Sequence, residues 1–177
     1  MVIALPIILH IPFSFPKIPI LAPMLAPSFN IILIYNSKIV LAKVQKIEDA
    51  DTEQYQVSLP DGFTNIFFFN TSTNYWEEQD LGITRLSDAV GKQMHKILAN
   101  PDNNQYPFEL EIDGQAFIAE PKIEDGNTIF VIYTKGMLYC ILRHAGIRYW
   151  EAESLTREDI PDELVNQIGY AIEDLQS

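Results

Sequence analysis

Tyr75-Trp76-Glu77 returns as Tyr149-Trp150-Glu151, 74 positions further along a chain of 177 residues, and this recurrence decides how everything else is read. A run that returns at a fixed period marks a structural unit used more than once, so it takes precedence over any motif. Outward from the Trp pair, Tyr55 to Leu98 align without a gap on the later copy: Val57 meets Val131, Gly62 meets Gly136, Leu81 meets Leu155, Asp88 meets Asp162 and Gln93 meets Gln167. Apolar character persists where identity does not, with Ile66 against Cys140, Phe67 against Ile141, Val90 against Leu164, Met94 against Ile168 and Leu98 against Ile172. Upstream, Lys46-Ile47-Glu48-Asp49 matches Lys122-Ile123-Glu124-Asp125, and Asn36 to Ala42 lines up with Asp113 to Ala119.

Each copy clarifies the other. In the second, Phe108 to Ile112 alternates apolar and acidic, Asp113-Gly114 is a strong hairpin signal, and Gln115 to Pro121 is the return strand. Thr128 to Thr134 and Met137 to His144 are β-branched and aromatic runs joined by Lys135-Gly136, and Ile147 to Ala152 closes a meander of about five strands. A helix follows Ile160-Pro161-Asp162, where proline and acidic residues suit a first turn. Leu164, Ile168, Ala171, Ile172 and Leu175 then share one face. The first copy follows the same plan through Phe29 to Tyr35, Lys38 to Val44, Gln54 to Leu59, Thr64 to Asn70 and a last strand from Tyr75. Its helix, capped by Ser87 or Asp88, presents Val90, Met94, Ile97 and Leu98. The expected fold is therefore α+β, a tandem duplication of an antiparallel β-meander followed by one α-helix, with the two units packed together.

This divides the chain into an apolar, proline-rich extension over 1–28, a first repeat over 29–100, a linker over 101–106 and a second repeat over 107–177. Within the extension Lys17 is the one formal charge to residue 30, and prolines at 6, 12, 16, 19, 23 and 27 interrupt any spanning helix. No basic segment precedes its apolar run, as a secretory signal requires. The extension reads as unstructured or as a mis-assigned start, with export or anchoring as the alternative.

A formal charge of −12 and the lack of a basic stripe exclude nucleic acid as a partner on electrostatic grounds. One cysteine, Cys140, can form neither an internal disulfide nor a zinc site, which makes the cytoplasm the default compartment. Cys140 and His144 stand four apart on one expected strand, but Cys140 replaces an Ile in the other copy and reads as a core residue. Asp49, Asp51 and Glu53 imitate the opening of a calcium loop, whereas Gln54 and Pro60 stand where that loop needs Gly and Glu. The run reads as a solvated acidic hairpin tip. No metal, cofactor or catalytic residue is expected.

The residues singled out for binding are Trp76, Trp150, Tyr75, Tyr149, Phe67 and Phe69. Trp and Tyr are favoured interface anchors. The competing structural reading packs each Trp beneath its helix. Ile66-Phe67-Phe68-Phe69 places large apolar groups on both faces of a strand, so the second face needs a cover from the other repeat, a homodimer or a partner surface. The leading functional expectation is a non-enzymatic, acidic protein-interaction module, an inhibitor or immunity-like partner of a basic protein. The alternative is a small-molecule or lipid-binding domain whose cavity between helix and sheet is lined by Phe67, Phe69, Trp76 and Trp150. A hydrolase assembled from scattered carboxylates is the third.

Overall fold

The computed structural model describes residues 28–48, 52–99, 105–146, 149–155 and 159–176. The expected extension and residues 101–104 of the expected linker lie outside them, apart from Ser28, which opens the first strand. Strands β1 (Ser28–Tyr35), β2 (Lys38–Ile47), β3 (Gln54–Ser58), β4 (Thr64–Asn70) and β5 (Tyr75–Glu78) form one antiparallel sheet in chain order, followed by α1 (Arg85–Ala99). Strands β6 (Phe108–Ile112), β7 (Gln115–Glu124), β8 (Asn127–Thr134), β9 (Met137–Gly146) and β10 (Tyr149–Ser154) form a second, again in chain order, followed by α2 (Asp162–Gln176). The class is α+β with two antiparallel sheets.

Local chemistry explains the meanders. Four of the hairpins turn on two residues that both have positive φ, Asn36-Ser37, Asp113-Gly114, Asp125-Gly126 and Lys135-Gly136. Such turns match the right-handed twist of the flanking strands and so fix their register. Alternation then sorts the faces. Phe29, Ile31, Leu33, Ala42, Val44, Tyr55, Val57, Phe67 and Trp76 point inward with Val90 and Met94 of α1. Leu110, Ile112, Phe117, Ala119, Phe130, Ile132, Cys140, Leu142 and Trp150 do the same with Val165, Ile168 and Ile172 of α2. Tyr106, from the expected linker, belongs with the first core and stacks on Phe29 at 4.9 Å. Hydrogen bonds between the halves include Ile39 N–H to the Gly136 carbonyl at 2.9 Å and the Asn30 side-chain amide to the Pro107 carbonyl at 3.1 Å.

Several sequence expectations shift. The cap of α1 is Thr84, whose Oγ1 accepts from Ser87 N–H while Ser87 Oγ accepts from Thr84 N–H, both at 2.9 Å. This is a capping box with serine in the place usually held by Glu or Gln. Thr84 also donates to the buried Glu78, which accepts from Asn65 as well, so that carboxylate is satisfied at the end of β5. The ungapped spacing of 74 does not describe the packing. The inward cross-strand pairs are Tyr55–Phe67 and Phe130–Leu142. Their members stand 75 apart, so Cys140 is fully buried while Ile66, its expected counterpart, is only partly so. Register shifts at Ile132/Tyr133 and Tyr149/Trp150 absorb the difference.

The helices slip further. Buried positions are Ser87, Val90, Gly91 and Met94 on α1 and Val165, Ile168, Gly169 and Ile172 on α2, the same pattern at a spacing of 78. Val165 was missed, Leu164 is half-buried and Leu175 is exposed.

Both helices carry a glycine at their point of closest approach. A Cβ added to Gly91 would lie 2.6 Å from Trp76 Cδ1, and one added to Gly169 would lie 2.6 Å from Trp150 Nε1. Glycine inside a helix costs about 1 kcal/mol relative to alanine, so its use here reflects the close approach of the indole to the backbone. Gly91→Ala and Gly169→Ala should each lower the unfolding free energy by about 1–3 kcal/mol through overpacking, against the propensity gain. Urea titration checks this, and alanine variants as stable as the parent would show that the helix does not rest on the indole.

Candidate functional site

The end of α1, β3, β4 and β5 enclose a cleft of about 490 Å³ between Tyr55, Phe69, Trp76, His95 and Leu98, with Thr52, Glu53 and Thr71 completing its lining. Register brings these side chains together. Phe69 pairs with Trp76 across β4 and β5, and Tyr55 pairs with Phe67 across β3 and β4. His95 sits one helical turn beyond Gly91, above the same indole. The aromatic rings meet at angles: Trp76 lies 5.9 Å from Tyr55, 6.1 Å from Phe69 and 6.2 Å from His95, the last edge-on. Phe69 and His95 also meet edge-on, at 5.7 Å.

Two polar atoms make this wall unusual. Tyr55 Oη and Trp76 Nε1 are buried and have no hydrogen-bond partner among the described residues. Tyr55 is fully buried and Trp76 is 5% exposed. Burial, with the Glu53 carboxylate as a lesser cause, pushes the Tyr55 phenol up to about 12, so it stays protonated and able to donate. The third such atom, Asn166 Oδ1 on α2, lines neither this cleft nor its counterpart.

That counterpart lies between α2 and the second sheet, a cleft of about 620 Å³ bordered by Phe130, Arg143, His144, Trp150, Glu173 and Gln176. Here the indole is satisfied, since Trp150 Nε1 donates to Glu173 Oε1 at 3.0 Å. His144 packs edge-on to Trp150 at 4.9 Å and reaches the same carboxylate oxygen at 3.4 Å. Glu173 stands one turn beyond Gly169, as His95 stands one turn beyond Gly91. Three corresponding positions therefore differ between the clefts, His95 against Glu173, Phe69 against His144 and Tyr55 against Phe130, and the first half is left with two donors that have no acceptor among the described residues.

The sequence candidates distribute as follows. Trp76 and Phe69 line the first cleft, Trp150 lines the second, and Phe67 is buried in the first core beneath them. The single cavity shared by Phe67, Phe69, Trp76 and Trp150 is not formed, because the two Trp residues occupy separate cores. Tyr75 and Tyr149 are more than half exposed on the edge strands β5 and β10. Phe67 and Phe69 face the core side of β4, while Ile66 and Phe68, on its other side, are half-buried. Sequence reasoning missed Tyr55 and His95; the contrast of Gly91-x-x-x-His95 with Gly169-x-x-x-Glu173 was the signal available.

Cys140 is fully buried and its thiol is pushed up to about 12 by burial, which suits a core hydrophobe. Among the described residues no three His, Cys, Asp or Glu side chains gather as a metal site, and no helix is long and apolar enough to cross a membrane. Asp49 and Asp51 lie outside the described residues, and Glu53 pairs with Lys46 at 2.8 Å.

An unpartnered buried hydroxyl costs more than the hydrogen it carries, so Tyr55→Phe should leave unfolding free energy unchanged or raise it by up to about 1 kcal/mol. The parent should lose stability as pH rises from 10 towards about 12, because the unfolded phenol ionises while the folded one does not. The Phe variant should lose less over that window. Chemical denaturation at pH 7 and across the alkaline range tests both, and a marked loss at pH 7 would mean that the hydroxyl has a partner.

Comparison with known protein families, curated proteins and solved structures returns no match for this chain.

Proposed function

We propose that this protein is a non-enzymatic binding module that holds a small organic molecule in the cleft between α1 and the first sheet. The observation that carries the reading is the aromatic cleft lined by Tyr55, Phe69, Trp76 and His95, with two unpartnered donors, Tyr55 Oη and Trp76 Nε1, buried in the residues of its lining. Each idle buried polar group costs about 1–3 kcal/mol, a cost that calls for an explanation, and on this reading it is met by the bound ligand. The volume and the mix of aromatic wall with few polar atoms fit a small-molecule site.

The second cleft supports the same reading by contrast. We take the two halves to descend from a tandem duplication, with the meander-plus-helix unit present twice; the shared strand order and the shared spacing of buried helix residues support that descent. On this view one copy satisfied its indole nitrogen with Glu173 and the other left it without an acceptor. A basic protein partner remains the second reading. It is favoured by the exposed carboxylates of Glu109, Glu111 and Asp113 along and just beyond the edge strand β6, although charges on an edge strand also serve to block sheet extension.

His95→Glu should copy the Trp150–Glu173 arrangement into the first half, satisfying Trp76 Nε1 and placing a carboxylate at the cleft. After incubation of the full chain with a small-molecule cell extract, native mass spectrometry should show a retained ligand on the parent and on Glu173→Gln, and none on His95→Glu. Equal retention by the parent and His95→Glu would place the ligand elsewhere, and no retention by any of the three would remove the reading.

A further inference from the structure

A third cavity, of about 290 Å³, is bordered by residues 30–32 of β1 and 120–123 of β7 and shares no lining residue with the two aromatic clefts. Successive strand residues point to opposite faces, so a cavity that touches three or four in a row lies along the edge of the strand, against its main chain.

Both edges are open there. β1 is the outer strand of its sheet, and β6 pairs with β7 only as far as the Phe108–Ala119 pair, so β7 from Glu120 onward pairs with β8 alone. The turns fix which peptide groups face outward. Asn36-Ser37 and Asp125-Gly126 are two-residue turns with positive φ, so Tyr35–Lys38 and Glu124–Asn127 are the hydrogen-bonded pairs that close their hairpins. Alternation then turns the N–H and C=O of Asn30, Ile32 and Ile123, and the C=O of Pro121, away from the paired strand. Pro121 conforms, since its missing N–H would face the cavity rather than β8. Among the described residues none of these main-chain groups finds a hydrogen-bond partner outside the ladders.

We infer that this slot takes an extended segment of another polypeptide, which pairs with the open edges of β1 and β7 and brings a carboxylate to Lys96. Two strand edges at one cavity offer donors and acceptors that an extended main chain answers and a helix, whose bonds are made internally, does not. Charge selects the sign. Of the charged groups at the slot, Glu120 accepts from Tyr133 at 2.6 Å and pairs with Lys122 at 3.2 Å, whereas Lys96 has no ion-pair partner among the described residues. Residues 1–27 of the chain itself suit the slot poorly, because their one formal charge is Lys17 and no proline-free run among them exceeds five residues.

The test selects random dodecapeptides on the full chain by phage display and follows amide hydrogen exchange with the best of them, made synthetically. Selected sequences should alternate β-branched or aromatic residues and contain Asp or Glu. In the free monomer the Ile32 and Ile123 amides should exchange rapidly, and saturating peptide should slow both at least about tenfold. Ile32→Pro and Ile123→Pro each delete a slot donor and spare the ladder, so both should fold, by circular dichroism, and bind the peptide at least about tenfold more weakly. Lys96→Gln should weaken it up to about fivefold. Failure to select any peptide, or equal binding by the parent and a folded proline variant, would overturn the inference. Protection of Ile32 and Ile123 in the free monomer would give the slot to the chain's own residues, and protection only on self-association would give it to a second copy; either result overturns a foreign peptide.

Discussion

The contact on which both halves depend is a tryptophan laid against a helix glycine. Trp76 under Gly91 and Trp150 under Gly169 bring the last strand of each sheet against its helix with no side chain between. The consequences run outward from there. An indole fixed in this way occupies the space under the helix, so Val90 and Met94, or Ile168 and Ile172, are the residues that fill the remaining volume over the sheet. It also fixes where the indole nitrogen sits, near the position one helical turn beyond the glycine, and whatever side chain stands there decides whether that nitrogen is satisfied. Packing and the hydrogen bonding of the indole therefore meet at a single position, His95 in one half and Glu173 in the other.

Much of the fold was legible because its signals are local. The two-residue turns at Asp113-Gly114 and Lys135-Gly136, the strands on either side and the start of α2 at Asp162 all follow from turn chemistry, alternation and dipole preference. Register between the halves was harder, for opposite reasons in strand and helix. A slip of four residues returns a helix to nearly the same face, so matching Met94 with Ile168 kept Val90, Met94, Ile97 and Leu98 opposite apolar residues while misplacing the helix by one turn. A slip of one residue in a strand exchanges its faces and ought to be visible. Here it was hidden, because Ile66-Phe67-Phe68-Phe69 is apolar at every position and reads equally well in either phase. The cap of α1 was missed because Ser87 performs the role of the usual Glu or Gln and looks like the cap itself.

The site was half legible. Phe69 and Trp76 stood out as large aromatics near a recurring motif, but a sequence that marks Trp76 marks Trp150 equally, and their environments differ. Tyr55 is an ordinary inward strand residue by pattern. What distinguishes it is the lack of a partner for its hydroxyl, which depends on Glu53, Phe69 and the end of α1, residues set beside it only by the completed meander.

The difference between the two clefts follows from where each half spends its polar groups. In the second, Glu173 accepts from Trp150, His144 stands beside both, and Arg143 holds Glu124 and Glu153 at 2.8 Å, so the rim is occupied by mutually satisfied charges. In the first, the positions corresponding to His144 and Glu173 are Phe69 and His95, paired with Trp76 by the same strand register and the same turn of helix. Replacing an imidazole by a phenyl ring and a carboxylate by an imidazole removes the acceptor without removing the donor. A buried donor without an acceptor is destabilising, and the two in the first half, against none among the described residues of the second, make it the less self-sufficient of the pair. The second half shows the arrangement in which the indole nitrogen is satisfied within the chain, and the first half leaves it without an acceptor among the described residues.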